Sequence, residues 1–370
     1  MKIAHLTSAH KRGDTRIFLK MCRSLAAAGK DVSLVVADGL GDETREEVRI
    51  FDVGKPKGRL ERMWKATRRV LGKALELDCD LYHLHDPELL PAGIALRRRG
   101  KRVVFDAHED LPRQILSKPY LHPVVRRPLS AAIKRFERYA CRRLTHVIAA
   151  TPAISDKFAA MRIGTTNVNN FPISDELADD VQWSEKAREV AYVGGISAIR
   201  GIGEVVAAME LCRSGVRLNL VGDFSEKTVK AKTQALPGWS RVNELGFLSR
   251  LEVKNVLGRS TAGIVTFLPE PNHIDAYPNK MFEYMSAGLP VIASDFPLWR
   301  EIIEGSQCGV CVDPLDAASI ASAIDRLVEN PELARNMGEN GRRAVHEKYN
   351  WDIEERKLLS LYEELLSRPV

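Results

Sequence analysis

The chain has 370 residues and a net charge of +6, and 45% of its residues are hydrophobic and 28% charged. This length suggests two domains of roughly 150–200 residues each. No run approaches the ~18 apolar residues of a membrane-spanning helix, and the N-terminus lacks the apolar stretch of a signal peptide. We therefore expect a cytoplasmic protein.

The first half of the chain begins with the order strand, loop, helix, glycine and strand. Residues 2–7 are an apolar run, residues 15–28 carry apolar side chains at helical spacing, and residues 32–37 are rich in β-branched side chains. Similar strand-like runs follow, separated by helical stretches, at 81–85, 103–107 and 146–150. The pattern predicts a doubly wound parallel sheet in an N-terminal domain, residues 1–173.

The second half repeats this alternation. Residues 174–188 are polar and acidic and are interpreted as a linker to a C-terminal domain, residues 189–349. Its predicted strands are 190–194, 217–221, 263–267, 291–294 and 309–312. Its predicted helices are near 201–213, 225–235, 249–257, 279–287 and 316–329. An amphipathic helix is predicted in residues 350–370.

Residues 275–294 are the most informative stretch. Asp275 precedes a Pro-Asn-Lys turn, Glu283 lies one turn into the following helix, and an apolar strand follows. A helix N-terminus presents free N–H groups and a positive dipole end, which favour an anion such as a diphosphate. Glu283 can accept hydrogen bonds from a sugar or ribose hydroxyl. The segment indicates a site for a nucleotide diphosphate sugar.

The same stretch resembles the signature of the retaining glycosyltransferases of family 4, which have the GT-B fold. The resemblance is carried by a carboxylate, seven residues, Glu283, and the Ala-Gly-Leu-Pro-Val-Ile-Ala-Ser run, with Asp275 where the family usually has Glu. It implies an α/β protein with two Rossmann-like, doubly wound parallel-sheet domains facing a central cleft. It also implies that the helix in 350–370 crosses back to the N-terminal domain.

The loop after the first predicted strand, Gly13-Asp-Thr-Arg16, resembles the start of a subset of the family. Gly13 would let the backbone approach the donor. Arg16 could be a structural partner of Asp14 or a cation on the acceptor side, and we favour the structural interpretation.

Histidines end two of the predicted strands. His108 lies in an Asp-Ala-His-Glu segment that matches a family motif in which the histidine reaches the donor sugar. The resemblance implies that it hydrogen-bonds a sugar hydroxyl and steadies positive charge in the transition state through its backbone carbonyl. His5 and His83 are interpreted as ordinary core or surface residues without a role in the site.

The loop 192–201 carries two glycines after a predicted strand. Gly195 stands where the family usually has Arg, and Arg200 stands where it usually has Lys, so Arg200 is the expected diphosphate cation. Its planar fork suits phosphate. Lys280 is a candidate second cation, with a solvated lysine as the equally weighted alternative.

The resemblance therefore implies a set of site residues. It places Glu283 on the ribose, Asp275 on the hydroxyls of the transferred sugar, and the base near the backbone of residues 246–249. The implied donor-binding residues are Gly13, Gly195, Arg200, Phe247, Asn279, Lys280, Met281, Phe282 and Glu283. The implied catalytic residues are His108, Arg200 and Asp275.

The segment Asp78-Cys-Asp80 matches the Asp-x-Asp triplet with which transferases of another fold bind a divalent metal. It precedes a predicted strand at the amino end of the first sheet, and we interpret it as a solvated turn. We expect neither a bound metal nor another cofactor.

Positive charge is concentrated in the first half of the chain. Residues 1–183 hold 33 Lys and Arg against 23 Asp and Glu, a difference of +10, and residues 113–143 hold nine against one, a difference of +8. Aromatic and aliphatic residues at helical spacing accompany these charges, which favours a helix lying on an anionic membrane. The alternative is a solvated basic helix. With aromatics at only 6%, no nucleic-acid partner is expected.

Together these features predict a metal-independent, retaining glycosyltransferase that lies at the inner face of the membrane. It would move a sugar from a nucleotide diphosphate sugar to a glycan or lipid-linked acceptor in cell-surface polysaccharide or glycolipid synthesis. The alternatives are a nucleotide-sugar 2-epimerase of the same fold and a catalytically idle sugar-nucleotide-binding protein. The base, sugar, acceptor and linkage stay open.

Overall fold

The structure is a computed structural model and describes residues 1–116, 121–174, 176–177 and 183–367. Part of the predicted linker and part of the basic segment 113–143 lie outside the described residues. The chain divides into two compact units: Met1–Asn170 with Trp351–Val370, and Phe171–Asn350.

The first unit is built on one sheet, which in the described residues has the strand order β3-β4-β2-β1-β5-β6-β7-β8. The strands are β1 (Lys2–Leu6), β2 (Asp31–Val36), β3 (Glu43–Arg45), β4 (Val48–Asp52), β5 (Leu81–Leu84), β6 (Arg102–Ala107), β7 (His146–Ala149) and β8 (Thr165–Asn167). All neighbours pair in parallel except β3 and β4, which form an antiparallel edge. The central strands are buried on both faces, which explains their continuous apolar runs.

Helices connect these strands. A π-helical segment, Thr15–Cys22, begins where the Asp14 carboxylate accepts from two backbone N–H groups, and it continues into α1 (Arg23–Ala27). A second π-helical turn, Arg62–Ala66, joins α2 (Arg59–Glu61) to α3 (Thr67–Leu77). The others are α4 (Leu90–Arg97), α5 (Leu111–Leu116), α6 (Pro123–Cys141) and α7 (Pro152–Ala160).

The second unit contains a parallel sheet with the order β11-β10-β9-β12-β13-β14 among the described residues. The strands are β9 (Glu189–Val193), β10 (Arg217–Val221), β11 (Val242–Gly246), β12 (Ala262–Val265), β13 (Val291–Ser294) and β14 (Gly309–Val312). Alternate residues of β9 belong to different hydrophobic clusters: Ala191 to one and Val190 to the other. The sheet therefore has an apolar core on each face.

The helices of the second unit lie where the sequence predicts them, with two additions. They are α8 (Ile202–Leu211), α9 (Lys227–Gln234), α10 (Arg250–Arg259), α11 (Asn279–Ser286), α12 (Pro297–Gly305), α13 (Ala317–Glu329) and α14 (Pro331–Glu347). The sequence analysis did not predict α12, α14 or strand β11.

The C-terminal helix α15 (Trp351–Ser367) belongs to the first unit. The indole N–H of Trp351 donates to Oγ of Ser24 at 2.9 Å. The buried carboxylate of Glu354 accepts from the backbone and side-chain N–H groups of Asn169 at 2.9 and 3.0 Å. Among the described helices, none is both long and apolar enough to cross a bilayer.

Candidate functional site

Two adjacent glycines end strand β9 in the second unit, and two cations lie against them. Gly194 has φ 129°, a conformation that side chains rarely adopt, and a Cβ there would lie 3.2 Å from Cε of Lys280. Arg200 folds back so that its Nη1 donates to the carbonyl of Gly195 at 3.0 Å. The glycines thus leave room for the side chains of both predicted diphosphate cations.

Tyr284 fixes helix α11 beside this loop. Its buried hydroxyl accepts from the backbone N–H of Val193 at 2.9 Å, one residue before the glycines. Its ring lies so close to β12 that a Cβ on Gly263 would be 2.3 Å from it. The start of α11, which its N-cap residue Pro278 does not cap with a side chain, is therefore held next to the two cations. Sequence analysis missed Tyr284, for which the only signal was a glycine in an otherwise apolar strand.

Arg200 is placed by a short turn and an aromatic ring. Its guanidinium carbon lies 5.4 Å from the ring centroid of Phe267, within the range of a cation–π contact. Its carbonyl accepts from the hydroxyl of Tyr192 at 3.1 Å. The next residue, Gly201, has φ 74°, and a Cβ there would be 2.0 Å from the carbonyl oxygen of Thr266. Glycine is therefore required directly after the cation.

Glu283 is buried between two cations. Its Oε2 pairs with Nζ of Lys280 at 2.5 Å, and its Oε1 accepts from Nη1 of Arg250 at 2.9 Å. Burial disfavours the charged form, but the two cations hold the pKa of Glu283 below its ordinary value. Arg250 also donates to both carboxylate oxygens of Glu176 at 2.8 and 2.7 Å. Lys280 is thus an ion-pair partner rather than a solvated lysine.

The other residues predicted to bind the donor differ in how far their side chains are exposed to solvent. Asn279 is exposed at the first position of α11, and Phe247 is 80% exposed after β11. The side chains of Met281 and Phe282 are buried in the core, and the N–H of Met281 already donates to the carbonyl of Pro278 at 3.0 Å. Met281 and Phe282 therefore offer a ligand no side chain.

Asp275, the predicted contact to the transferred sugar, lies half-buried in the turn before α11. The neighbouring carbonyl of Ala276 accepts from the indole N–H of the buried Trp299 at 2.7 Å. This bond fixes the backbone of the turn that carries Asp275.

In the first unit, Asp106 organises the side chains around His108. The guanidinium of Arg16 donates to both oxygens of the Asp106 carboxylate at 2.8 and 2.7 Å. Nδ1 of His85 lies 3.1 Å from Oδ2, and Nδ1 of His108 lies 3.6 Å from the same oxygen. The predicted pairing of the Arg16 side chain with Asp14 is wrong, because the Asp14 carboxylate caps the helix through the backbone and Arg16 reaches Asp106 instead.

Two histidines meet beside this carboxylate. Burial disfavours a charge on His108, but Asp106 outweighs it and raises the pKa of His108. The ring of His10 contacts that of His108 edge-on, with centroids 5.2 Å apart. His10 also pairs with the buried Asp86, whose carboxylate overcomes the effect of burial and raises the pKa of His10 to about 9. His10 is therefore charged at neutral pH, and sequence analysis missed it.

Comparison with known proteins identifies the family of this chain. The model for Glycosyltransferase Family 4 matches residues 12–168, and the model for Glycosyl transferases group 1 matches residues 174–344. The chain belongs to family 4 of the glycosyltransferases.

Known glycosyltransferases resemble this family 4 enzyme over most of its length. The α-D-kanosaminyltransferase of Streptomyces kanamyceticus is 26% identical over 68% of this chain and 70% of that protein. The MMP α-(1→4)-mannosyltransferase of Mycolicibacterium hassiacum is 22% identical over 82% of this chain and 74% of that protein.

Solved structures confirm that this glycosyltransferase has the GT-B fold. The sucrose-phosphate synthase of Thermosynechococcus elongatus matches with a TM-score of 0.78 and 20% identity over 99% of both chains. The Anabaena protein HepE, solved in complex with UDP-glucose, matches with a TM-score of 0.75 and 19% identity over 98% of this chain and 100% of that chain.

This glycosyltransferase lacks the arginine that the family usually carries after the first glycine of the loop, and its structure shows what fills the space. A Cβ on Gly195 would lie 2.8 Å from Nη1 of Arg200, closer than real Cβ atoms approach. A side chain at position 195 would force the end of the flexible Arg200 side chain to move from this placement. The Arg200 side chain thus lies against the glycines, where the family usually has the side chain of the arginine that follows the first glycine.

The remaining predicted residues of the glycosyltransferase lie apart from these contacts. Gly13 is exposed, with no atom near the position of a Cβ, so its own loop does not require glycine. Asp78 pairs with Nζ of Lys101 at 2.6 Å, and Asp80 accepts from the backbone N–H of Lys2 at 2.8 Å. These two carboxylates precede β5, whereas His108 follows the carboxyl end of β6.

Proposed function

We propose that this glycosyltransferase moves a sugar, with retention of anomeric configuration, from a nucleotide diphosphate sugar to a glycan or lipid-linked acceptor. The reaction would serve cell-surface polysaccharide or glycolipid synthesis. The observation that carries the proposal is the pair Arg200 and Lys280, which lie against Gly195 and Gly194 beside the start of α11. Two cations, a helix N-terminus and two adjacent glycines suit a diphosphate.

The predicted cations, carboxylates and histidine then have roles in the proposed reaction. Arg200 and Lys280 bind the diphosphate, and Lys280 shares its charge between the phosphate and Glu283. Glu283 holds the ribose, Asp275 contacts the transferred sugar, and His108 hydrogen-bonds a sugar hydroxyl. The base lies near the backbone of residues 246–249.

The proposed mechanism needs neither a protein nucleophile nor a metal. The acceptor attacks from the face that the diphosphate leaves, and the departing diphosphate takes the acceptor proton. Arg200 and the N-terminus of α11 stabilise the negative charge that develops on the diphosphate, so positioning and charge stabilisation supply most of the rate.

A donor assay tests this function. HepE was solved with UDP-glucose, so UDP-glucose is the first donor to try, followed by GDP-, ADP- and dTDP-sugars. We expect slow hydrolysis of the correct donor in the absence of acceptor, and NMR of the released sugar should first show the anomer of the donor. Initial release of the opposite anomer would contradict retention. An isomerised sugar nucleotide would indicate the epimerase, and tight binding without turnover the idle protein.

The membrane proposal is supported by what helix α6 exposes. Its basic side chains Arg127, Lys134, Arg135 and Arg138 are exposed, together with the apolar Val124, Val125, Phe136 and Tyr139. Arg126 differs, because its guanidinium donates to the carbonyls of Leu121 and Leu116. We propose that α6 places the enzyme on anionic lipid at the cytoplasmic face of the membrane.

A second exposed patch in the first unit supports the same placement. Leu60, Met63 and Trp64 are 77%, 46% and 65% exposed at helical spacing of three and four residues, ahead of α3. Helix α4 packs against both α3 and α6, so the patch and α6 belong to one layer of helices. Basic residues surround the patch at Arg59, Arg62, Lys65, Arg68 and Arg69. Apolar side chains amid basic residues suit the boundary between lipid headgroups and acyl chains.

A further inference from the structure

Three buried histidines and a tyrosine form a connected cluster in the first unit. Nδ1 of His83 lies 2.7 Å from the hydroxyl of Tyr362, which lies 3.5 Å from Nε2 of His5. Nδ1 of His5 lies 2.9 Å from Nε2 of His85, and Nδ1 of His85 lies 3.1 Å from Oδ2 of Asp106. The rings and the tyrosine are fully buried, so each proton must be accounted for inside the protein.

The donor and the acceptor of each hydrogen bond in this cluster follow from the negative charge of Asp106. Asp106 is ionised, because the guanidinium of Arg16 outweighs burial and holds the pKa of Asp106 well below its ordinary value. An ionised carboxylate only accepts, so Nδ1 of His85 must carry a proton. Burial lowers the pKa of His85, which keeps the ring neutral and leaves its Nε2 as an acceptor. Nδ1 of His5 must then be the donor to His85.

The same reasoning continues to the C-terminal helix. Burial also keeps His5 neutral, so its Nε2 accepts from the hydroxyl of Tyr362, whose oxygen accepts from Nδ1 of His83. This leaves Nε2 of His83 as a bare acceptor, and that atom has no partner among the described residues. The reverse assignment would bury an unsatisfied N–H on His83 and also leave Nε2 of His5 without a donor. An unsatisfied donor is the costlier defect, so the first assignment holds.

Three imidazoles this close are also a possible metal donor set. The geometry argues against an ion. Two nitrogens on a tetrahedral zinc lie about 3.3 Å apart, since each bond is about 2.05 Å. The 2.9 Å between His5 and His85 is the length of a hydrogen bond.

The chain of hydrogen bonds affects His108 because it occupies the lone pairs of Oδ2 of Asp106, the oxygen that lies nearest to His108. Oδ2 of Asp106 already accepts from Nε of Arg16 and from Nδ1 of His85, which uses both of its lone pairs. His108 remains 3.6 Å away, and within the described part of the chain its buried Nδ1 has no partner at hydrogen-bond distance. The Asp106 carboxylate therefore attracts His108 from 3.6 Å, a distance longer than an ordinary hydrogen bond.

We propose that His85 is a positioning residue for His108: by occupying Oδ2 of Asp106, it keeps the His108 ring from locking onto that carboxylate and leaves the ring able to turn toward a substrate hydroxyl. The substrate hydroxyl belongs to the proposed function, on which this consequence rests. The hydrogen-bond assignment does not depend on it.

The tautomers can be read directly in the free protein. The chain has nine histidines, few enough for two-dimensional NMR with selectively ¹⁵N-labelled histidine. Long-range ¹H–¹⁵N correlation should show His5, His83 and His85 as neutral rings protonated at Nδ1. Protonation of His85 at Nε2 would overturn the proposal, as would a stoichiometric metal in the purified protein that is lost on substituting His85.

Substitutions test the effect on His108. His85→Leu frees a lone pair on Oδ2, so His108 should bond Asp106 and its pKa, followed by NMR titration, should rise by about one unit. His85→Asn keeps an N–H donor near the position of Nδ1 and should restore the wild-type value. Tyr362→Phe is the matched control, since it removes a hydroxyl from the far end of the chain and should leave His85 and His108 unchanged.

Turnover provides a separate readout. In His85→Leu we expect kcat to fall about tenfold with KM nearly unchanged, and His85→Asn to recover most of the loss. A His108 pKa that does not move in folded His85→Leu would overturn the proposal. If His85→Leu fails to fold, an unchanged His108 pKa in His85→Gln, whose longer side chain displaces the donor, would do the same. Should the enzyme prove inactive on every donor, the tautomers and the His108 titration still decide the role of His85.

Discussion

His10 and the buried Asp86 form a partly exposed ion pair, with Nδ1 of the histidine 3.0 Å from Oδ1 of the carboxylate. Asp86 also accepts from the hydroxyl of Thr7 at 2.8 Å and from the backbone N–H of Ser8 at 2.6 Å. These contacts connect the loop after β1 to Asp86, the second residue after β5, and one of them depends on the charge of the His10 ring. Stability should therefore depend on pH through His10.

The sign of this dependence follows from the raised pKa. His10 titrates near pH 9 in the folded protein and near 6.5 when unfolded, so its stabilisation is complete below about pH 6.5 and is lost as pH rises to about 9. We expect His10→Gln to cost roughly 2–3 kcal/mol of unfolding free energy at pH 6 and little at pH 9.5. Urea unfolding at both pH values measures this. His346→Gln, an exposed change on α14, is the control, and an equal loss at both pH values would contradict the assignment.

Much of the fold was predictable because parallel strands buried on both faces leave continuous apolar runs. The elements that were missed lack that signature. Strand β11, with the sequence Val-Asn-Glu-Leu-Gly, is a half-exposed edge strand, and α14 is dominated by polar residues. Their structure depends on the neighbours they pack against, which local sequence does not report.

The candidate site was predictable where a motif is contiguous and unpredictable where partners are distant in sequence. Lys280 and Glu283 lie one turn apart on α11, and their pairing follows from that spacing. Arg250 reaches Glu176 across 74 residues, and Arg16 reaches Asp106 across 90, so no local pattern announces either pair. The prediction for Arg16 chose the nearer carboxylate, Asp14, but that carboxylate accepts from backbone N–H groups at the start of the helix.

Arg200 should be the most sensitive cation of the second unit. Arg200→Ala removes the guanidinium that stands over Gly195, and we expect kcat/KM to fall roughly a hundredfold or more, a loss of about 2–4 kcal/mol in the transition state. Arg200→Lys keeps the charge without the fork and should lose less. Arg213→Ala, on a side chain 88% exposed in the same unit, is the control. A value of kcat/KM within a few-fold of wild type in folded Arg200→Ala would show that Arg200 does not bind the diphosphate.

Glu283 and Asp275 should separate binding from turnover. Glu283→Gln removes a charge between Lys280 and Arg250, and we expect it to weaken binding of the nucleotide diphosphate alone roughly 10–100-fold. Asp275→Asn should leave that binding intact and lower turnover. Calorimetry with UDP or the matching diphosphate measures the first effect. Glu176→Gln, which removes the other partner of Arg250, controls for a displaced arginine, and equal binding losses in Glu283→Gln and Asp275→Asn would refute the division of roles.

The basic face of α6 should bind anionic lipid. Replacing Arg127, Lys134, Arg135 and Arg138 with Ser removes four exposed charges, each contributing about 1 kcal/mol near a charged bilayer. Co-sedimentation with vesicles containing phosphatidylserine should drop sharply in this variant and, in the wild type, weaken with added salt. Replacing Arg213, Arg335, Arg343 and Lys348, all exposed in the second unit, gives a variant of equal net charge as the control. Equal recovery of both variants would leave α6 as a solvated helix.

Trp64 should report insertion of its patch into the same membrane. Of the five tryptophans, all within the described residues, Trp64 alone is exposed and the others are buried or half-buried, so we expect its fluorescence to respond most to lipid. We expect a blue shift on adding anionic vesicles, quenching by brominated acyl chains, and loss of both in Trp64→Phe. Leu60→Ser with Met63→Ser should weaken the binding that persists at high salt, because apolar burial is not screened. Leu251→Ser, on an exposed leucine of the second unit, is the control. Sedimentation with vesicles but without any change in Trp64 fluorescence would mean that this patch stays in water and that charge alone holds the enzyme on the lipid.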